Sequence, residues 1–332
     1  MMFAIWPLLA FRRLRRTNAW PAFRPLVLVF VLLSGGSFAL LDPNNPQAFA
    51  DDLVIDNVRG SDYQNDRGYA PGPATHGPYR TIARALAAAG PGDRIVLTKT
   101  DQPYRECVSL NGDKLSGTST EPLVLIGNGA TLDGSEATNP IGWRTVPQEK
   151  GLWEYVDTPP GFGLLLSSSE TLAQWKPKTE QGNLSLIGPN TWTRQQGRFL
   201  FRPAPGKGPR DYHLQMTVLT TGITLYNIQH VEIQDLTIRG FRIDGINAID
   251  RATNIKLTNV TVIDNGRSGI SVGGASRVVV DSSHVNDNGI AQLRTEGNGV
   301  LELGRVIVDP ATAPAIANDG GRVVGRTTPP AK

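Results

Sequence analysis

The sequence contains a single cysteine, Cys107, in 332 residues. One thiol cannot close an internal disulfide, so packing and hydrogen bonding must hold the fold. Cys107 lies in the alternating stretch Tyr-Arg-Glu-Cys-Val-Ser-Leu (104–110) with no histidine placed as its partner, and it reads as a buried, inert thiol rather than a nucleophile. A surplus of charge of one sign is also lacking. The chain has 33 basic and 30 acidic side chains, but Arg12, Arg13, Arg15, Arg16 and Arg24 stand against Asp42 alone in the first fifty residues. The remainder carries 28 basic and 29 acidic groups, which leaves nothing to neutralise phosphates and excludes nucleic acid as a partner. No nucleotide cofactor is expected. Long apolar runs are missing too, since the most apolar stretch (26–41) falls short of the ~20 residues that span a bilayer. What the chain has in quantity is glycine (36) and proline (24), with 39% apolar residues. That composition argues for a sizeable core, many turns and few long helices.

The first fifty residues have the form of an export signal. Arginines at 12–16 precede an apolar segment (26–33), and Ala48-Phe49-Ala50 offers a small-x-small cleavage site before Asp51. The expected location is secreted, periplasmic or at the cell surface, with an uncleaved membrane anchor as the alternative.

The body of the sequence repeats. His230-Val-Glu-Ile-Gln-Asp-Leu-Thr-Ile-Arg-Gly240, Asn254-Ile-Lys-Leu-Thr-Asn-Val-Thr-Val-Ile-Asp264 and Arg277-Val-Val-Val-Asp-Ser-Ser-His-Val-Asn-Asp287 align without gaps at offsets of 24 and 23. Each follows a shorter run beginning at Gly222, Gly245 or Gly269. A less regular fourth copy is expected, with 305–309 echoing 277–281 and 316–320 echoing 285–289. Within a repeat, apolar residues alternate: Ile223/Ile246/Ile270, then Val231/Ile255/Val278, then Ile238/Val262/Val285. Period-two alternation marks strands with one buried face. Strands this short close a core only by stacking on their equivalents in the next repeat. Three strands per turn make an all-β fold, a parallel β-helix, right-handed by the crossover rule. A leucine-rich repeat is the rival, but the return segment 266–276 is Gly/Ser-rich and carries no helical period.

Upstream, Pro-Tyr-Arg-Thr-Ile-Ala-x-Ala-Leu (78–86) reads as the start of a short helix with Thr81 as N-cap and Gly90 as its stop. It is followed by Pro-Gly-Asp-x-Ile-x-Leu (91–97) and Ala-Thr-Leu-Asp-Gly-Ser (130–135). This succession resembles the opening of pectate-lyase-like right-handed parallel β-helix proteins. The resemblance covers roughly 79–135 and 217–320. It implies a helix capping the N-terminal end of the stack, and a protein that acts on or binds polysaccharide as a lyase, a glycoside hydrolase or a non-catalytic glycan-binding module. The polygalacturonase triplets Asn-Thr-Asp, Gly-His-Gly and Arg-Ile-Lys are absent, and so is the calcium-repeat pattern G-G-x-G-x-D.

The expected organisation is a signal (1–50), a cap and first coils (51–138), a β-rich insertion (139–216), coils (217–325) and a disordered tail (326–332). The insertion holds all four tryptophans outside the signal, Trp143, Trp153, Trp175 and Trp192. They are either its core or a sugar-stacking surface. A hairpin is expected over 192–202.

Residues at equal repeat positions stack about 4.8 Å apart. Asp264 and Asp287 share one column, bracketed by Gly240 and Asn318; Asn265 and Asn288 share the next, with Phe241 and Asp319. Stacked carboxylates raise each other's pKa or recruit a cation such as Ca²⁺, and their spacing suits a retaining glycosidase pair. Stacked asparagines instead suit a turn ladder. The interval from Gly269 to Gly299 is 30 residues, which suggests a projecting loop at 289–299 bearing Gln292, Arg294 and Glu296. Arg242 and Arg267 lie on the same edge. A lyase would use such arginines against a substrate carboxylate, and a hydrolase would pair Glu296 with Asp244 or Asp264. His284 is a further outward-facing candidate for substrate contact. No cofactor is required, and a monomer is expected.

Overall fold

Residues 52–63, 78–176 and 183–330 are described here, from a computed structural model. The expected export signal (1–50) therefore lies outside the described residues. Among them, no helix is long and apolar enough to cross a membrane.

The repeats form a parallel β-helix with three faces. The first is a six-stranded parallel sheet of Val108–Asn111, Ile223–Tyr226, Asp244–Ile249, Ser268–Val272, Ala291–Glu296 and Ile316–Asp319. The second runs from Asp52–Ile55 through Arg94–Leu97, Leu123–Asp133, Gln229–Arg239, Thr253–Thr258, Arg277–Asp281 and Val300–Leu303 to Arg322–Val324. The third consists of the distal halves of the two long strands, then Thr261–Ile263, Ser283–Asn286 and Val306–Val308. The expected register holds: Ile223 pairs with Ile246, Ile246 with Ile270, and Ile255 with Val278.

The inward column Ile223, Ile246, Ile270 and Leu293 has no exposed surface. Burying each such side chain contributes about 1.5–3 kcal/mol. The bends between strands are set by Asp, Asn, Ser and Gly. Asp235, Asn259 and Ser282 have φ of 56°, 52° and 52°, and Gly240, Asp264 and Asp287 have φ of 72°, 57° and 57°. Apart from glycine, Asn and Asp enter this left-handed region most readily, because their short polar side chains bond locally. The return segment is strand, which removes the leucine-rich alternative.

Three expectations about the last coils are corrected. The segment 289–299 is not a projecting loop. Ala291–Glu296 is the next regular strand of the first face, with Ala291 opposite Ser268, one ordinary repeat on. Likewise Ile316–Asp319 pairs with Ala291–Glu296, so Asn318 and Asp319 belong to the first face and not to the columns of Asp287 and Asn288. Val306–Val308 pairs with Ser283–Val285, not with the 277–281 strand. The tail is also ordered further than expected, with Thr328 hydrogen-bonded to the backbone of Val306 and Val308.

The N-terminal end is covered by the helix Ile82–Ala88, which buries Ile82, Ala85 and Leu86. Thr81 caps it through Arg84 N at 3.2 Å, and the Glu106 carboxylate accepts from the Ile82 and Ala83 amides at 2.9 Å. The helix stops at Ala89 in extended conformation, one residue before Gly90. Cys107 is exposed rather than buried, with its Sγ 3.6 Å from Thr220 Oγ1. The alternation puts Val108 and Leu110 inward and Cys107 on the other face.

The insertion begins earlier than expected. Ser135–Ala137, Leu214–Thr217 and Leu165–Ser167 form an antiparallel three-stranded sheet. A five-stranded sheet adds Arg144–Thr145, Trp153–Tyr155, Arg198–Arg202, Thr191–Gln195 and Ala173–Gln174. The expected hairpin turns at Gln196 and Gly197, whose φ of 47° and 76° fit the type I′ turn that matches strand twist. The whole insertion leaves the helix at one corner, between the third face of one coil and the first face of the next.

Candidate functional site

The corner from which the insertion leaves is built on a buried amide ladder. Phe241 N donates to Asn265 Oδ1 at 3.0 Å, and Asn265 N and Nδ2 both donate to Asn288 Oδ1 at 3.0 Å. Asn288 Nδ2 donates to Gln292 Oε1 at 2.8 Å and to Val262 O at 3.1 Å. Asn265, Asn288 and Gln292 have no exposed surface. Fully paired amides of this kind fix one turn geometry, because any other leaves buried polar groups unmatched.

That rigid turn aims the preceding residues outward. Asp264 and Asp287 lie one coil apart, about 4.8 Å. Asp264 faces the guanidinium of Arg239, 3.3 Å away, which also stands 3.9 Å from Asp133. Burial is the largest influence on Asp264. It outweighs the attraction of Arg239 and is reinforced by repulsion from Asp287 and Asp133, so the carboxyl is pushed up to about 6. Asp287 is exposed, accepts from Asn286 Nδ2 at 2.6 Å, and has no cationic partner among the described residues.

The insertion supplies the opposing wall. Its close approach is possible because Gly266 lacks a side chain; a Cβ there would sit 2.2 Å from Arg242 O and 2.6 Å from Phe162 O. Arg242 donates to Pro160 O, and Arg194 to Pro159 O and Gly161 O. Lys176 Nζ donates to Gly289 O at 2.8 Å and Thr312 O at 2.7 Å. The result is a cleft of about 430 Å³, within the range of ligand sites. Arg239, Asp264, Asp287 and Gly289 form one side; Leu164–Leu166, Glu170, Leu172 and Trp192 line the other.

Of the expected catalytic residues, the fold brings Asp264 and Asp287 together in this cleft. The others form a separate network on the first face. Asp244 is fully buried and accepts from Arg267 Nε at 3.0 Å. Arg267 also meets Glu296 at 3.4 Å, and Arg294 bridges Glu296 and Asp319 at 2.5 and 2.6 Å. Burial pushes the Asp244 carboxyl up, against the opposing pull of Arg267. The arginines are therefore matched by carboxylates of the chain itself. Glu296 is not paired with Asp264, and Arg242 is directed to backbone carbonyls of the insertion rather than to the cleft.

Trp143, Trp153 and Trp175 pack into the insertion's own apolar clusters, and Trp143 donates to Thr138 Oγ1 at 3.1 Å. Trp192 is also largely buried, packing edge-on against Phe199, but it alone of the four lines the cleft. His284 stands exposed between Thr261 and Ile307 and does not line the cleft. Among the described residues no three acidic, histidine or cysteine side chains are arranged to hold a metal ion; beside Asp264 the positive charge is that of Arg239.

Sequence reasoning missed Arg239, Glu170, Lys176 and the 164–174 wall. Arg239 had a signal, since it is the last outward residue before the corner, in register with Ile263 and one coil below it. The wall had none, because nothing periodic places an irregular insertion against a particular corner.

A family model described as a right handed beta helix region matches residues 219–308. No curated protein matches the chain. A solved structure described as "Glycoside hydrolase" is 11% identical with a TM-score of 0.54, over 78% of this chain and 73% of the other. Another, "The complex structure of XylC with xylose", is 11% identical with a TM-score of 0.39, over 84% and 70%. At such identity the first likeness speaks for fold alone, and the second is too distant to carry an argument. The register, the coil corners and the match at 219–308 agree that this chain is a right-handed parallel β-helix protein.

Proposed function

We propose that the protein is an exported glycan-acting enzyme that hydrolyses a polysaccharide in the cleft between the insertion and the coil corner. The observation that carries the reading is the Asp264/Asp287 pair. A carboxyl pushed up to about 6 still holds its proton in mildly acidic solution, and it stands beside an exposed second carboxyl that accepts from Asn286 Nδ2. In this reading Asp264 protonates the glycosidic oxygen as the bond to the anomeric carbon breaks, and the Asp287 carboxylate forms a bond to that carbon. Water then attacks the anomeric carbon, Asp264 takes its proton back, and Asp287 is released. A backbone step of ~4.8 Å between coils allows two stacked carboxyl groups to stand at the ~5–5.5 Å of retaining pairs. A wall of Leu164–Leu166 and Leu172, with Trp192 in its lining, suits the apolar face of a sugar ring.

The test uses the full-length protein with a panel of acidic and neutral polysaccharides, scoring new reducing ends and unsaturated ends together. Reducing ends that vanish in Asp264→Asn and Asp287→Asn support the proposal. Unsaturated ends would replace it with a lyase. Binding without any product would make this a glycan-binding module.

A further inference from the structure

The charges around the cleft bear on which glycan it takes. Its lining includes three carboxylates, Glu170, Asp264 and Asp287, and one guanidinium, Arg239. Among the described residues, the one cation in the lining, Arg239, is already paired with carboxylates. Arg239 lies between Asp264 and Asp133, and Lys207 is bound to Glu170. Lys176 donates to two backbone carbonyls, and Arg242 to those of Pro160 and Val218. The charge left without a cationic partner is negative, on Asp287. A uronate entering here would find no guanidinium or ammonium in the lining that is free of a carboxylate, and would face Asp287; Lys176 and Arg242, outside the lining, keep their charge but turn their N–H groups to backbone carbonyls. On the first face Arg267 and Arg294 are likewise held by Asp244, Glu296 and Asp319, so no second arginine cluster stands ready for an acidic chain.

We infer that the cleft discriminates by charge, taking an uncharged glycan chain and rejecting one that bears carboxylates. The inference rests on the cleft being the glycan site proposed above. It also separates this chain from the pectate-like expectation raised by its opening motifs, since the cleft lining offers an acidic substrate no cation free of a carboxylate. Two like charges roughly 6 Å apart in a half-solvated site repel by about tenfold in binding, at an effective dielectric of about 40.

The experiment is titration calorimetry of the full-length protein with neutral xylo-, gluco- and manno-hexasaccharides and with hexagalacturonate, at pH 7.5 and low salt. At least one neutral hexasaccharide should bind about tenfold or more tightly than hexagalacturonate. Asp287→Asn keeps a residue that tolerates the left-handed backbone and should narrow that gap about tenfold. In the unmodified protein, high salt should narrow it too, because the repelling charge is exposed. Hexagalacturonate binding as tightly as the best neutral chain, or a gap that neither Asp287→Asn nor salt reduces, overturns the inference and leaves the glycan cleft standing. Failure of all four chains to bind overturns the cleft as a glycan site, and this inference with it.

Discussion

Replacing Asp264 by asparagine removes the group whose protonation the proposed mechanism needs, and its effect on stability can be worked out beforehand. The folded carboxyl titrates near 6, against 3.8 for an unperturbed aspartate. Folding therefore takes up a proton at this site between those two values. The contribution of Asp264 to stability is most favourable below about pH 4 and falls as pH rises to about 6, staying low above that. Two units correspond to about 3 kcal/mol, at 1.36 kcal/mol per unit. With a side chain 24% exposed, solvent screening reduces this to about 2 kcal/mol. Asparagine carries no charge to bury and accepts φ near 57°, so backbone strain does not confound the comparison. Urea unfolding from pH 4 to pH 8 should show Asp264→Asn more stable than the parent by about 2 kcal/mol at pH 8, with the advantage vanishing near pH 4. Reducing-end release should fall by roughly 10²–10⁴, the usual worth of a general acid. A variant no more stable at pH 8 than the parent would refute the argument that burial dominates at Asp264. A variant that keeps full activity would remove Asp264 as the proton donor.

Two further outcomes test the scaffold. Arg267→Met leaves the fully buried Asp244 without its partner and should cost about 3–5 kcal/mol at pH 8 by urea unfolding, with the loss shrinking at low pH as Asp244 takes up a proton; pairing it with Asp244→Leu should recover most of the loss. Asn288→Ala cuts the ladder at its centre, strands the Asn265 amides, and should destabilise by about 3 kcal/mol; a cost below about 1 kcal/mol would mean that water or a shifted turn satisfies them.

Much of this fold is legible in the residues because a solenoid is nearly one-dimensional: each strand meets its equivalent one period away. Ile246 could be placed on Ile223 and Asn288 beside Asn265 from spacing alone, and the structure has them there. Reading fails where the period loses its markers. Ala-Gln-Leu-Arg-Thr-Glu (291–296) lacks the Gly-Ile start of its predecessors, and so a regular strand looked like a loop. Cys107 was misplaced for a related reason, since an alternating run does not say which of its two faces points inward.

The sequence by itself determined the repeat, the inward columns, the bends at Asp, Asn and Gly, and the stacking of Asp264 on Asp287, because these depend only on separation along the chain. Tertiary structure decided which charges meet. Arg267 and Glu296, a whole coil and more apart in sequence, close on each other across the first face. Arg239 reaches Asp264 across one coil step, and an aperiodic insertion folds back over Gly266 to turn an exposed aspartate corner into a walled cleft. Burial in that corner pushes the Asp264 carboxyl up, and no local pattern encodes it.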